Sequence, residues 1–190
     1  MGVSTFFPAE VMTQAHRELV VTLTPPPAPL LEIVVIKRTL RRELAQHDEL
    51  LLALAQAFPG HRVRVFTAEG HVREHAQLFY NAAAVIAPHG AGLRNIIFSR
   101  PGTAVLEIGY SCSAVADHPS ELQAPKLSAL LGGCWFETSY HSMATALGHR
   151  YGLLLGLGVM FDQMSIGNNF HQISVAVEEV VTLLQQLLHS

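Results

Sequence analysis

The feature that most constrains this chain lies between residues 83 and 107, where a strand, a glycine loop, a helix and a second strand follow one another. The apolar run Ala83–Ala87 is short enough to be a buried strand, and the loop His89–Gly92 carries two glycines. Leu93–Phe98 has the apolar spacing of a helix, and Ala104–Ile108 is a second buried strand. This order predicts a βαβ unit whose loop stands where such sheets bind ligands.

The glycine loop predicts an anion site. Glycines let the backbone approach a ligand closely, and the first amides of the following helix have no partner within it. Those amides and the helix dipole favour a phosphate or another anion. His89 would stand at a strand end and donate to a phosphate or a sugar hydroxyl, and Glu107 would end the neighbouring strand and accept from ribose hydroxyls. The same loop also fits a tight strand–helix turn with a capping histidine.

A basic cluster follows another predicted strand. Residues 31–36 are predicted to form a buried strand, and Arg38, Arg41 and Arg42 come directly after it. A guanidinium at the carboxyl end of a parallel strand is well placed to grip a diphosphate. A solvated charge run at the entry of a helix is the alternative interpretation. Two clusters suited to phosphate occur at two strand ends, which favours a role in binding over a solvated charge run.

The remaining pattern alternates helices with strands, which predicts an α/β fold with a doubly wound parallel sheet. Helices are expected at 8–21, 48–58 (with Asp48 as its cap), 71–81, 126–131 and 175–188, and strands at 61–66, near the sheet edge, and at 133–137. Residues 138–170 are rich in glycine and mixed in pattern, and they are the hardest part of the sequence to read. The proline-rich stretch 25–30 predicts a linker, which divides the chain into an N-terminal helical strap at 1–24, the linker, and one domain at 31–190.

Composition excludes several functional classes. Nearly half of the 190 residues are hydrophobic, 14% are charged and the formal net charge is −3, which suits a buried sheet and argues against a nucleic-acid surface. No apolar run reaches the ~20 residues of a membrane span, and residues 1–24 lack the layout of a signal peptide. Cys112 and Cys134 allow one disulfide without requiring it, and no zinc-ligand spacing surrounds them. We expect no nucleic acid, membrane span or metal.

The segment APHGAGLRNIIFSRPGTAVLEIG closely resembles the hallmark segment of glycosyltransferase family 61. That family includes plant β-1,2-xylosyltransferases, xylan arabinosyl- and xylosyltransferases, and animal O-linked N-acetylglucosamine transferases of the secretory pathway. The resemblance runs from about Ile33 to Ile108 and includes the arginine stretch, Phe58-Pro59 and Val63–Val65 in the family's order. Two positions depart from the pattern: Glu43–Ala45 replaces an asparagine after the arginine stretch, and Arg94 replaces a threonine.

The resemblance implies the carboxyl-terminal, Rossmann-like half of a GT-B-like inverting glycosyltransferase, the half that binds a UDP-sugar donor. The positions it assigns to the donor are Arg38, Arg42 (or Arg41), His89, Gly90, Ala91, Gly92, Asn95 and Glu107. Arginines and helix amides can stabilise a departing diphosphate, so the resemblance implies no metal and no other cofactor. It does not identify the catalytic base, for which His89 is a candidate.

The resemblance also implies partners. These are a glycan or glycoprotein acceptor and a second Rossmann-like half that precedes the arginine stretch, and the location is the lumen of the Golgi or ER. The transferred sugar is expected to be a pentose or N-acetylglucosamine. Two alternatives stay open. One is a nucleotide-binding or interaction domain that has lost turnover. The other is a different Rossmann enzyme, which predicts glycines after the first strand, where this chain has arginines.

Overall fold

The computed structural model describes residues 8–23, 29–39, 42–111, 139–159 and 172–190. In chain order the elements are helix α1 (Ala9–Leu23), strands β1 (Glu32–Ile36) and β2 (Glu43–Leu44), helix α2 (His47–Ala57), strand β3 (Arg62–Phe66), helix α3 (Val72–Tyr80), strand β4 (Ala82–Pro88), the 3-10 helix η1 (Ala91–Phe98), strand β5 (Ala104–Ser111), helix α4 (Ser139–Ala146), strands β6 (Arg150–Val159) and β7 (Gln172–Ser174), and helix α5 (Val177–His189).

Within these residues one sheet has the strand order β2-β7-β6-β5-β4-β1-β3. The strands from β6 to β3 run parallel to one another, and β7 is antiparallel to β6. The sheet confirms the predicted α/β, Rossmann-like fold and the edge position of β3. From β1 the chain moves outward to β3 and then returns to β4 on the other side of β1. This reversal creates a switch point between β1 and β4, and ligands bind outside the carboxyl ends of strands at such a point.

Helices cover both faces of the sheet. On one face α2 and α5 contribute buried residues such as Leu54 and Leu184. On the other face α3 and η1 contribute Phe79 and Ile96, and α1 and α4 add further apolar contacts. Because both faces are covered, β1 and β4 are buried along their whole length, and apart from Glu32 at the start of β1 their sequences are continuously apolar instead of alternating.

The start of helix α2 differs from the prediction. The helix begins at His47, so Asp48 lies in its first turn and is not its cap. The residue before the helix is Gln46, whose Nε2 donates to Ser174 Oγ (2.8 Å) and whose Oε1 accepts from the amide of Val175 (3.2 Å). A long-range contact with the end of β7 therefore fixes this helix start, and local capping rules do not include such a contact.

Residues 138–170, the part of the sequence that is hardest to read, include helix α4 and the long strand β6. Three glycines interrupt the apolar run of β6, and two of them lie close to distant parts of the chain. A Cβ at Gly152 would lie 2.8 Å from Leu187 Cδ1, and a Cβ at Gly156 would lie 2.6 Å from the carbonyl oxygen of Ser174. Gly152 and Gly156 allow α5 and the end of β7 to approach the strand closely. Packing against distant parts of the chain therefore explains why glycine stands at these two positions.

Helix α1 is confirmed and packs against the rest of the fold. His16 Nδ1 donates to the carbonyl oxygen of Ile97 at the end of η1, at 2.6 Å. The division into strap, linker and domain stays a prediction. The predicted elements at 126–131 and 133–137, and both cysteines, lie outside the described residues. Among the helices that the structure describes, none has the length and apolar character needed to cross a membrane.

Candidate functional site

The loop between β4 and η1 is closed against the end of β1 by two glycines. Gly90 has a φ of +153°, and a Cβ at this position would lie 1.5 Å from Arg38 Nη1. A Cβ at Gly92 would lie 2.8 Å from Ile36 Cγ2, the last side chain of β1. Asn95 Nδ2 donates to the carbonyl oxygen of Gly92 at 2.9 Å and so braces the loop. The glycine loop is therefore in direct contact with the carboxyl end of β1, at the switch point of the sheet.

The helix that follows the loop is confirmed, and it is of the 3-10 type. Side chains three residues apart align in such a helix, which puts Leu93 and Ile96 into the core. Ile97, which was expected on the same face, is only half-buried, and Phe98 is buried. The amide of Leu93 donates to the carbonyl oxygen of Gly90 at 3.0 Å. One early amide of the helix is therefore already used within the loop.

Two arginines converge on the main chain of this loop. Arg38 Nη1 and Arg42 Nη1 both donate to the carbonyl oxygen of His89, at 3.3 Å and 3.2 Å. Arg42 Nε is buried and has no hydrogen-bond partner among the described residues. Two cations on one neutral acceptor repel each other, and an anion that binds both relieves this repulsion. The two predicted clusters therefore form one basic site.

The backbone at Arg42 is strained. Its φ is +56°, in the left-handed region, which costs a non-glycine residue about 1 kcal/mol or more. Strand β2 begins at the next residue and pairs with β7, while the Arg42 side chain is held at the carbonyl oxygen of His89. These two contacts hold Arg42 in its conformation, and strained residues are common at ligand sites. Arg41, the alternative diphosphate contact, lies outside the described residues.

A buried polar chain lies behind the loop. His89 Nδ1 donates to Glu107 Oε1, and the hydroxyl of Tyr151 donates to Glu107 Oε2. Glu107 is fully buried and His89 is 9% exposed. Burial, the negative charge of Glu107 and the hydrogen bond between the two groups all raise the pKa of Tyr151, so its hydroxyl stays protonated at neutral pH. The ring of Tyr140 on α4 contacts the His89 ring, with centroids 5.5 Å apart.

Glu107 is not the last residue of its strand, contrary to the prediction. Strand β5 continues to Ser111 because β6 pairs with it along its whole length, and Glu107 pairs with Ala87 on one side and Leu153 on the other. The carboxylate therefore lies inside the fold, with both oxygens bonded to protein side chains. The ribose contact expected for Glu107 stays a prediction.

Sequence reasoning missed two side chains of this site. Tyr151 and Tyr140 lie on elements that follow β5 by a long connection, and no local spacing relates them to Glu107 or His89. The only signal in the sequence is that two tyrosines occur close together, one shortly before the glycine-rich strand and one at its start. Ala91, which the resemblance assigns to the donor, is exposed on the loop.

A match to a family model over the first part of the chain identifies the family. The model of the family described as Glycosyltransferase 61 matches residues 4–106, more than half of the 190 residues. The chain belongs to glycosyltransferase family 61. The matched part includes both arginines and the whole glycine loop, while Glu107 and Tyr151 lie beyond it. The resemblance read from the hallmark segment is confirmed.

A curated relative supports the same family. Over 76 residues the chain is 37% identical to protein O-linked-mannose beta-1,4-N-acetylglucosaminyltransferase 2 of Bos taurus. The aligned part is 40% of this chain and 13% of that protein. The chain therefore corresponds to a small share of the relative's length.

Proposed function

We propose that this family 61 chain binds the nucleotide-sugar donor of a glycosyl transfer reaction, with a UDP-sugar as the donor. The observation that carries the proposal is the convergence of Arg38 and Arg42 on the His89 carbonyl oxygen, beside Gly90 and at the switch point of the sheet. The site combines two guanidinium groups, a loop with two glycines and the amino end of a helix. All three favour a diphosphate.

The proposed binding mode assigns a distinct part to each element. The guanidinium groups of Arg38 and Arg42 stay beside the His89 carbonyl oxygen and donate their other N–H groups to the diphosphate. Gly90 leaves room for the Arg38 guanidinium, and Asn95 holds the loop that faces the donor. Ala91 and Gly92 complete the wall of the donor pocket, as the family resemblance implies.

The proposed reaction is an inverting displacement at the anomeric carbon of the donor sugar. The oxygen of an acceptor hydroxyl forms the new bond to that carbon, and the bond from the carbon to the β-phosphate oxygen breaks. The electron pair of the broken bond leaves with UDP, and the two arginines stabilise the negative charge that develops there. The hydroxyl proton passes to a general base, for which His89 is the candidate within this chain.

The donor, the acceptor and the location are further parts of this proposal. The name of the bovine relative supports N-acetylglucosamine as the sugar and a mannosylated glycoprotein or glycan as the acceptor. A pentose is the alternative that the family resemblance leaves open. Because the arginines supply positive charge at the diphosphate, we propose a donor site that needs no metal. We place the reaction in the lumen of the Golgi or ER, where the resemblance puts the family's animal members.

Removal of either arginine tests this proposal. Arg38→Ala and Arg42→Ala are each expected to lower the affinity for UDP by roughly tenfold to a hundredfold, because a hydrogen bond to a charged group contributes about 1.5 to 3 kcal/mol. Uridine lacks the diphosphate, so its weaker binding should not change. Calorimetric titration with UDP and with uridine measures both effects.

Arg64→Ala is the matched control for these variants. Arg64 is an exposed arginine on the edge strand β3, and its removal changes the net charge equally without touching the loop. The control should bind UDP as the wild type does. Equal UDP affinity in all three variants would contradict the arginine site. UDP binding without transfer or hydrolysis of any UDP-sugar would instead favour a binding domain that has lost turnover.

A further inference from the structure

We propose that Glu107 and Tyr151 are positioning residues that hold the His89 imidazole in one tautomer and one orientation beside the loop. His89 is the residue in which the contacts of the site meet. Its carbonyl oxygen accepts from both arginines, its amide donates to the carbonyl oxygen of Ile108 at 2.8 Å, and its Nδ1 donates to Glu107. This positioning role deepens the proposed function. Its test by UDP affinity rests on that function, and its test by the tautomer of His89 does not.

Burial makes the carboxylate dependent on its two donors. Glu107 has no exposed surface, and a buried carboxylate is costly unless hydrogen bonds and charge compensate it. His89 Nδ1 and the Tyr151 hydroxyl each serve one of its oxygens. The chain Tyr151–Glu107–His89 thus joins three neighbouring strands, from β6 through β5 to the residue after β4.

The direction of each hydrogen bond follows from this arrangement. A carboxylate only accepts, so His89 carries a proton on Nδ1, and its neutral form has the lone pair on Nε2. The Tyr151 hydroxyl stays protonated because burial and the neighbouring carboxylate raise its pKa. It therefore donates to the second oxygen throughout the neutral range. The pair fixes both the ring plane and the tautomer of His89.

Glu107→Gln tests the tautomer directly. The Tyr151 hydroxyl has no other acceptor among the described residues, so the amide oxygen of the glutamine should accept from it. The amide NH2 group then faces His89 Nδ1, and this nitrogen becomes an acceptor because histidine, unlike tyrosine, can carry its proton on another atom. The proton should then move to Nε2, since a histidine tautomer follows the partner of its other nitrogen. Nitrogen-15 NMR of the imidazole above neutral pH reports the tautomer in the ligand-free chain, with the His89 signal assigned from its loss in His89→Gln.

Tyr151→Phe and the double variant make the test specific. Tyr151→Phe leaves Glu107 a carboxylate, so the Nδ1–H tautomer should remain. In Glu107→Gln with Tyr151→Phe the amide is free to rotate and present its oxygen to His89, so the Nδ1–H tautomer should return. Because the His89 carbonyl oxygen holds both arginines, a displaced His89 should lower the affinity for UDP by roughly tenfold in Glu107→Gln, and the affinity should partly recover in the double variant. A merely structural role predicts no such recovery, because the double variant has lost more contacts.

Glu32→Gln and Tyr80→Phe are the matched controls. Glu32 is a buried carboxylate paired with Arg62 at the opposite end of the sheet, and Tyr80 is a buried tyrosine at the end of α3. Both should keep the wild-type tautomer and UDP affinity.

The unmodified chain provides the first decisive result. An Nε2–H tautomer of His89 in the wild type overturns the proposal, whether or not any variant folds. A folded Glu107→Gln variant that keeps the Nδ1–H tautomer, or that binds UDP as the wild type does, overturns it as well. Absence of UDP binding by the wild type counts against the proposed function, and the tautomer measurements then decide the positioning role alone.

Discussion

Gly90→Ala is expected to abolish tight UDP binding while the chain stays folded. The φ of +153° at this position disfavours any side chain, and the added Cβ would lie 1.5 Å from Arg38 Nη1. The guanidinium must therefore leave its place beside the loop. We expect a loss of affinity of roughly a hundredfold, about 3 kcal/mol, because the displaced arginine and the distorted loop both face the diphosphate. Calorimetric titration with UDP measures the loss, and circular dichroism checks the fold.

Gly60→Ala is the matched control for this substitution. Gly60 follows helix α2 at the other end of the sheet, and a Cβ there would have no heavy atom within 4 Å. This variant should bind UDP with wild-type affinity. If Gly90→Ala also bound UDP with wild-type affinity, the close approach of Arg38 to the loop would have no part in binding, and the site described above would be wrong.

Acid is expected to destabilise the chain through His149. Burial is the main reason why the pKa of this histidine falls from 6.5 to about 4, and the charge of nearby His16 contributes a smaller part of that decrease. Its Nε2 donates to the carbonyl oxygen of Ile96 at 3.1 Å, within η1. The unfolded chain takes up the proton near the ordinary pKa and the folded chain resists it. The contribution of neutral His149 to the free energy of unfolding is therefore complete above pH 6.5 and is lost as the pH falls toward 4. The loss amounts to about 3 kcal/mol.

Urea unfolding at a series of pH values measures this loss. His149→Gln keeps an amide donor for the Ile96 carbonyl oxygen and removes the titrating group, so its stability should change less across the same pH range. His189→Ala removes an exposed histidine at the end of α5 and should leave the wild-type profile unchanged. If the free energy of unfolding fell equally with pH in the wild type and in His149→Gln, another group would cause the acid sensitivity.

The parts of the site that the sequence predicts are those with local chemical causes. An apolar run followed by glycines predicts a buried strand with an open loop, and the structure has β4 and the loop at Gly90 and Gly92. Basic residues directly after another apolar run predict positive charge at a strand end. Parallel strands bring their carboxyl ends to one edge of the sheet, so Arg38 and His89 meet although 51 positions separate them.

The parts that the sequence does not predict depend on distant partners. Glu107 looks like the last residue of a short strand because nothing nearby reveals that β6 extends the pairing to Ser111. Tyr151 donates to Glu107 from a strand in which Gly152 and Gly156 are explained only by the packing of α5 and β7. Gln46 replaces Asp48 at the start of α2 because its side chain bonds to the end of β7. In each case the deciding contact crosses the fold and leaves no periodic signal.

Calorimetric titration of the unmodified chain with UDP, in the presence of excess chelator, tests the proposed donor site most directly. We expect saturable binding at one site, because the proposed diphosphate site consists of Arg38, Arg42 and the glycine loop of this chain. The absence of saturable binding by a chain that circular dichroism shows to be folded would contradict it.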